Sequence, residues 1–286
     1  MIQNICCFMK FVRIFLQVFS VFFALMPQDE ARAGVIERTD QVSSLSADEI
    51  LEKVKAAKSS LPAEGQHFKY LREANIYDLK KDGSIREKTQ KLYRAYTDGR
   101  DQQLLAIDGK PSTGRDRAKD RAHNLERQQK FLHRQSSKQS DKNNDDLMAK
   151  NMDLFRDKFL ASLKGEEKRK NRMTYLIELK PNKKHKLENM FVDRLMNQIQ
   201  ARVWVDKEEF RVARLEMKLK EPVSFLGGFA GLLRDIQIDL DQKQLNPKLW
   251  VDEEITAFFD VRVFLKTFRF KMKSESTKFE LVAPSE

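Results

Sequence analysis

From His67 to Ile107, and again from Lys158 to Val282, polar residues alternate with aromatic or β-branched ones, and turn-forming residues break the pattern repeatedly. This period of two is that of a strand with one buried face. In the first block, Asp82-Gly83 and Asp98-Gly99 supply the positive φ that tight hairpins require, so three antiparallel strands in a meander are expected. Strands resume near Lys158, "RMTYLIELKP" is a second clear one, and residues 199–205, 210–219, 234–241, 248–259, 261–272 and 276–282 continue the series. A sheet of about ten such strands twists too strongly to stay flat and curls into a barrel or half-barrel.

Three helical signals precede or separate these strands. "SADEILEKVKAAKSSLP" begins with Ser46 followed three residues later by Glu49, a capping box. Ala47, Ile50, Leu51, Val54, Ala57 and Leu61 then mark one apolar face, and Pro62 ends the helix. Residues 115–135 are mostly charged, with a thin stripe of Ala118, Ala122, Leu125 and Leu132, and read as an exposed helix. "RQSSKQSDKNNDD" has no apolar residue and is expected to be disordered, so 115–146 reads as a charged insert. A second amphipathic helix is expected over Leu147–Phe155.

The N-terminus sets the expected compartment. "MKFVRIFLQVFSVFFALMPQDEARAG" places Lys10 and Arg13 before an apolar run from Ile14 to Met26, followed by Ala31-Arg32-Ala33. That is the order of a cleavable export signal over residues 1–33, with Met9 as an alternative start. The run is shorter than the roughly 20 residues a spanning helix needs, although a retained anchor is the competing reading. Residues 34–45 are polar and read as a flexible lead-in. Cys6 and Cys7 are the only cysteines, both within that signal, so the exported chain would have neither disulfide nor thiolate chemistry. The net charge is +11, and an exported basic chain suits anionic lipid or envelope polymers better than nucleic acid. A mixed-charge, merely solvated surface is the simpler account of it.

Catalytic signals are weak. "RVWVDKEEF" (Arg202–Phe210) and "KLWVDEEIT" (from Lys248) hold the only two Trp, each followed by carboxylates. By strand parity, Ala201, Val203 and Val205 oppose Arg202, Trp204 and Asp206, and "DKEE" reads as a solvated hairpin turn. Trp250, Asp252, Glu254 and Phe258 would share one face of the second strand. A paired-carboxylate hydrolase or a calcium loop would need acids at fixed spacing, and that pattern is absent. His67, His123, His133 and His185 show no metal-binding spacing, and "GKPSTGRD" lacks the Lys-Ser/Thr of a phosphate loop. No metal and no cofactor are therefore expected.

Apolar features carry more information. "VSFLGGFAGLL" (Val223–Leu233) is either a buried connection or a mobile flap with Leu226 and Phe229 on a lipid. Eight of the 14 Phe outside the export signal follow residue 223. The last hairpin is expected to put Phe264, Phe268, Phe270 and Met272 on one strand face, opposite Val261, Val263 and Leu265. A strand apolar on both sides has a second packed layer or a greasy cavity against it.

The order of export signal, capped helix, meander with "YTDGRDQQLLAIDGKP", charged insert, "YLIELKP" and "RVWVDKEEFRVARLE" resembles the LolA-like outer-membrane lipoprotein-sorting family of diderm bacteria. The resemblance spans roughly residues 46–282 and is strongest in the "WVDKEEFRVARLE" hairpin. It implies an α+β fold: a curved antiparallel sheet forming a half-open β-barrel with helices over its concave face. It also implies a non-enzymatic periplasmic carrier that takes up lipoprotein acyl chains or lipid and touches membrane or envelope proteins transiently. The expected cavity residues are Phe258, Phe264, Phe268, Phe270 and Met272, with Leu226 and Phe229 as a flap and Trp204 and Trp250 nearby. The alternative is a signalling or structural module on the same fold that binds a protein partner. The charged insert departs from the minimal carrier.

Overall fold

The structure is a computed structural model that describes residues 45–58, 67–97, 102–122, 124–125, 158–182, 194–225, 231–246 and 249–282. The expected export signal, nearly all of the lead-in, most of the insert and the helix expected at Leu147–Phe155 lie outside these residues. Helix α1 (Ala47–Lys58) precedes strands β1 (Phe68–Leu79), β2 (Ile85–Tyr96), β3 (Gln103–Ile107) and β4 (Lys110–Pro111). After them come β5 (Phe159–Arg169), β6 (Arg172–Pro181), β7 (Ile199–Asp206) and β8 (Val212–Leu219). The series ends with β9 (Val223–Phe225), β10 (Gly231–Asn246), β11 (Leu249–Val263) and β12 (Lys266–Leu281). Residues 114–122 are also helical.

All the strands belong to one sheet in the order β4-β3-β2-β1-β12-β11-β10-β8-β7-β6-β5, with β9 beside β10. Every recorded pairing is antiparallel. Most neighbours are sequential hairpins, the economical way to build an antiparallel sheet. Two neighbour pairs are not consecutive, β8 with β10 and β1 with β12, and the second joins the N-terminal meander to the C-terminal strands. Strands β4 and β5 end the order without pairing to each other, so the sheet is open, as the half-barrel reading requires.

Two turns show how local chemistry fixes the register. In the β1–β2 turn, Gly83 adopts φ +85°, while Asp82 Oδ1 accepts hydrogen bonds from the backbone N–H (2.9 Å) and hydroxyl (2.7 Å) of Ser84. The β11–β12 turn lies four residues beyond the break that the sequence suggests between 259 and 261. Val263 pairs directly with Lys266, so the turn is Phe264-Leu265, and the two strands expected at 261–272 and 276–282 are largely one strand, β12. No Gly or Pro marks this turn; Phe264 itself takes φ +53°. The polar "SES" stretch does not break β12, because Ser274, Glu275 and Ser276 pair with β1 on one side and Ser274 and Glu275 with β11 on the other.

Helix α1 forms as its capping box predicts. The Glu49 carboxylate accepts from the Ser46 N–H and hydroxyl, each at 2.7 Å, and the Ser46 hydroxyl accepts from the Glu49 N–H at 3.3 Å. A second capping box, not anticipated from the sequence, opens the helix at 114–122: Thr113 and Asp116 exchange the same bonds. Ala47, Ile50 and Val54 of α1 are buried in the main core with residues from β5 to β11. Full burial of an Ile or Val side chain contributes about 1.5–3 kcal/mol, which is how a short helix persists on this sheet.

Candidate functional site

The face of the sheet toward α1 is apolar in rows that cross many strands. One row runs Leu179, Ala201, Met217, Ile238, Ala257, Met272, Ile76 and Thr89 from β6 to β2. The next runs Ile177, Val203, Leu215, Leu240, Ile255, Ser274, Ala74 and Lys91. Both are apolar and largely buried from β6 to β11 and turn polar by β2. On β12, Phe268, Phe270 and Met272 lie against the core and remain half-exposed, and Ile76 beyond them on β1 is 42% exposed. Phe270 stacks on Phe259 with ring centroids 4.8 Å apart.

α1 packs against β5, at the far end of the order. The β12–β1 side of the apolar face has a polar rim. There Lys91 pairs with Asp120 of the 114–122 helix at 2.8 Å, and the Tyr93 hydroxyl donates to the same carboxylate at 3.1 Å. Burial works against the Lys91 ammonium, yet its bond to Asp120 leaves its pKa raised.

The expected cavity residues divide. Phe268, Phe270 and Met272 are together on this face. Phe258 is on the opposite pleat, between Gln237 and Lys271, and its place is taken by Phe259. Correct placement of the Phe264-Leu265 turn would have given this, since Val263 opposite Lys266 puts Phe259 opposite Phe270. Phe264 sits at the turn and does not share the face. Leu226 and Phe229 lie outside the described residues, although Val223 and Leu233 at the ends of that segment are buried and pair across a β9–β10 hairpin.

Trp204 and Trp250 lie elsewhere. Trp204 is on the pleat opposite Val203 and Val205, in a row with Arg214, Asp241 and Glu254. Its N–H donates to Glu167 at 2.6 Å, and Arg169 and Arg214 lie 5.1 and 5.6 Å from its ring. Both arginines bond Asp241. Beside this cluster, Arg172 makes a bidentate pair with Asp206 at 2.6 and 2.8 Å, reaches Glu208 at 3.0 Å and Gln244 at 3.0 Å, and lies 5.7 Å from the Trp250 ring.

Asp206 is 0% exposed, not solvated as its turn position suggested. It also accepts the Glu208 and Glu209 N–H groups at 3.1 and 2.8 Å, pinning the β7–β8 turn. The Asp206 bonds raise the pKa of Arg172. The shared face expected for Trp250, Asp252, Glu254 and Phe258 is interrupted by a bulge, since Asp241 pairs with Glu254 but Gln242 pairs with Asp252. These acids are occupied by Arg, Lys, Trp, Gln, Thr and backbone donors, an arrangement that locks hairpins together. Among the described residues, no group of three or more His, Cys, Asp or Glu could hold a metal ion.

No family model and no curated protein matches the chain. Among solved structures it is similar to a domain assigned to outer-membrane lipoprotein sorting in Vibrio parahaemolyticus, at 13% identity and TM-score 0.30, over 84% of this chain and 95% of that one. It is also similar to a LolA-superfamily protein from Nitrosomonas europaea, at 13% identity and TM-score 0.28, over 84% and 95%. A third similarity is to the MucA/MucB complex structure of Pseudomonas aeruginosa, at 9% identity and TM-score 0.25, over 83% and 99%.

Proposed function

We propose that the protein is a non-enzymatic carrier that shields acyl chains of a lipid or lipoprotein against the β11–β12–β1 part of the apolar face, in an envelope compartment reached by export. The observation that supports this reading most is the half-exposed file of Phe268, Phe270 and Met272, continued by Ile76. A soluble chain rarely leaves contiguous aromatic and aliphatic surface uncovered without a ligand for it. Each CH₂ withdrawn from water there contributes about 0.8 kcal/mol, so an acyl chain would be held by burial without any polar recognition. Arg72 at the polar margin would meet an anionic headgroup.

The test is native mass spectrometry of the protein isolated from the cells that make it. A co-purifying lipid or lipoprotein, or stoichiometric uptake of one added to apo protein, is expected. Apo protein that takes up neither would leave the second reading, a module that binds a protein partner. One observation favours that module: β5 ends the strand order among the described residues, and Leu160 on it is exposed.

A further inference from the structure

At one end of the sheet the β11–β12 turn presents Leu265, 99% exposed, and Phe264, 42% exposed, followed directly by Lys266. An apolar side chain fully in water at a hairpin tip contributes nothing to the core. The β1–β2 turn reaches the same end and carries the exposed Lys80 and Lys81, with Ile85 at 56% exposure.

A buried ion pair joins the two turns. Asp260, itself buried, accepts from Arg269 Nε at 2.9 Å and from Nη2, while Arg269 Nη1 donates to the backbone carbonyls of Lys80, at 3.2 Å, and Lys81. Arg269 lies three residues after Lys266 on the same strand. The Arg269 bonds therefore hold the β1–β2 turn beside the base of the β11–β12 hairpin, and the ridge at this end of the sheet carries three exposed apolar side chains and three exposed lysines. Of the acids nearby, Asp78 is offset by Arg86 at 3.3 Å, while Asp82 keeps its charge and accepts from Ser84, so the three lysines outnumber the one unoffset carboxylate of that turn.

We infer that this ridge docks on an anionic lipid bilayer surface, with Leu265 and Phe264 entering the headgroup–acyl boundary and Lys80, Lys81 and Lys266 meeting lipid phosphates. Apolar tips give depth and lysines give headgroup selectivity, and the net charge of +11 brings the whole chain toward such a surface. The ridge is separate from the apolar face proposed to hold acyl chains, and its docking does not depend on that proposal.

The test is co-sedimentation of the full chain, purified from the cells that make it, with vesicles of phosphatidylcholine alone and with phosphatidylglycerol added as a minority component. Binding to the anionic vesicles is expected, and Leu265→Asp should weaken it about tenfold, because one apolar side chain is lost from the membrane. A joint Lys80→Glu, Lys81→Glu variant should bind several-fold less and lose part of its salt dependence. Leu160→Asp, at an exposed leucine on strand β5, should bind as the unsubstituted chain does. Hydrogen exchange should slow at residues 262–267 and 80–85 when vesicles are added. Unchanged thermal melting of Leu265→Asp would show that the fold is intact. The inference is overturned if Leu265→Asp binds normally, if Leu160→Asp weakens binding as much, or if exchange at both turns is insensitive to vesicles.

Discussion

The Trp250 indole N–H donates to the Glu209 carboxylate at 2.7 Å, so the second Trp-Val-Asp segment is fastened to the turn that follows the first. Gln244, paired in register with Trp250, donates to the other oxygen of Glu209. Arg172 reaches both segments, bonding Asp206 and lying against Trp250. The doubled motif is one interlocking structural cluster on the sheet.

Arg172→Ala should therefore be among the most damaging single changes. It leaves the carboxylate of Asp206, which is 0% exposed, without its charge partner, and breaking a buried pair costs about 3–5 kcal/mol. At about 2–4 °C per kcal/mol for a domain of this size, the midpoint should fall by roughly 10 °C in a calorimetric melt. Combining Arg172→Met with Asp206→Asn should lose less than the two single changes added together, since no buried charge is then left unpaired.

Asp252 gives a pH signature. Burial pushes its carboxyl above the usual carboxylate range, against the Gln242 bond at 2.8 Å and the field of Arg72. A carboxyl whose folded pKa is raised favours folding while protonated. Its contribution is complete below its unfolded value of about 3.9 and is lost as pH rises through the folded value. Asp252→Asn should thus raise the melting midpoint near neutral pH by a few degrees and flatten stability over the weakly acidic range. Chemical denaturation at a series of pH values measures both; an identical pH profile in the variant would contradict this.

Gly83 has φ +85° and nothing within 4 Å of where a Cβ would stand. Gly83→Ala therefore meets no clash and carries only conformational strain, on the order of 1 kcal/mol. The expected result is a shift of a few degrees in melting temperature with unchanged circular dichroism.

Phe270 and Phe258 occupy opposite pleats, which separates the apolar face from the rest of the sheet. Phe270→Ala should reduce uptake of a fluorescent fatty acid about tenfold, while Phe258→Ala should leave it within about twofold. Both variants need a melt alongside, since Phe270 also stacks on Phe259.

Much of the fold was legible along the chain. The capping box of Ser46 and Glu49, the Asp82-Gly83 turn and the alternation of β6 and β7 are short-range signals, and each appears in the structure with its expected bonds or pairing. The Thr113–Asp116 capping box had the same kind of signal and was missed among charged residues. The turn at Phe264-Leu265 was not legible, because neither residue favours a left-handed backbone and only cross-strand pairing holds Phe264 there. Misplacing that turn selected Phe258 in place of Phe259, since side-chain parity along a strand follows from register.

By itself, the sequence determined an antiparallel sheet too long to stay flat, a capped helix with one apolar face, and a charge of +11, because periodicity, caps and composition are local or summed properties. Only the tertiary structure decided that β1 pairs with β12, that Asp206 is buried beneath Arg172, and that Arg269 ties one hairpin turn to another. Those are contacts between residues far apart in the chain. Their energies depend on burial and register, which exist only once the strands have paired in that order.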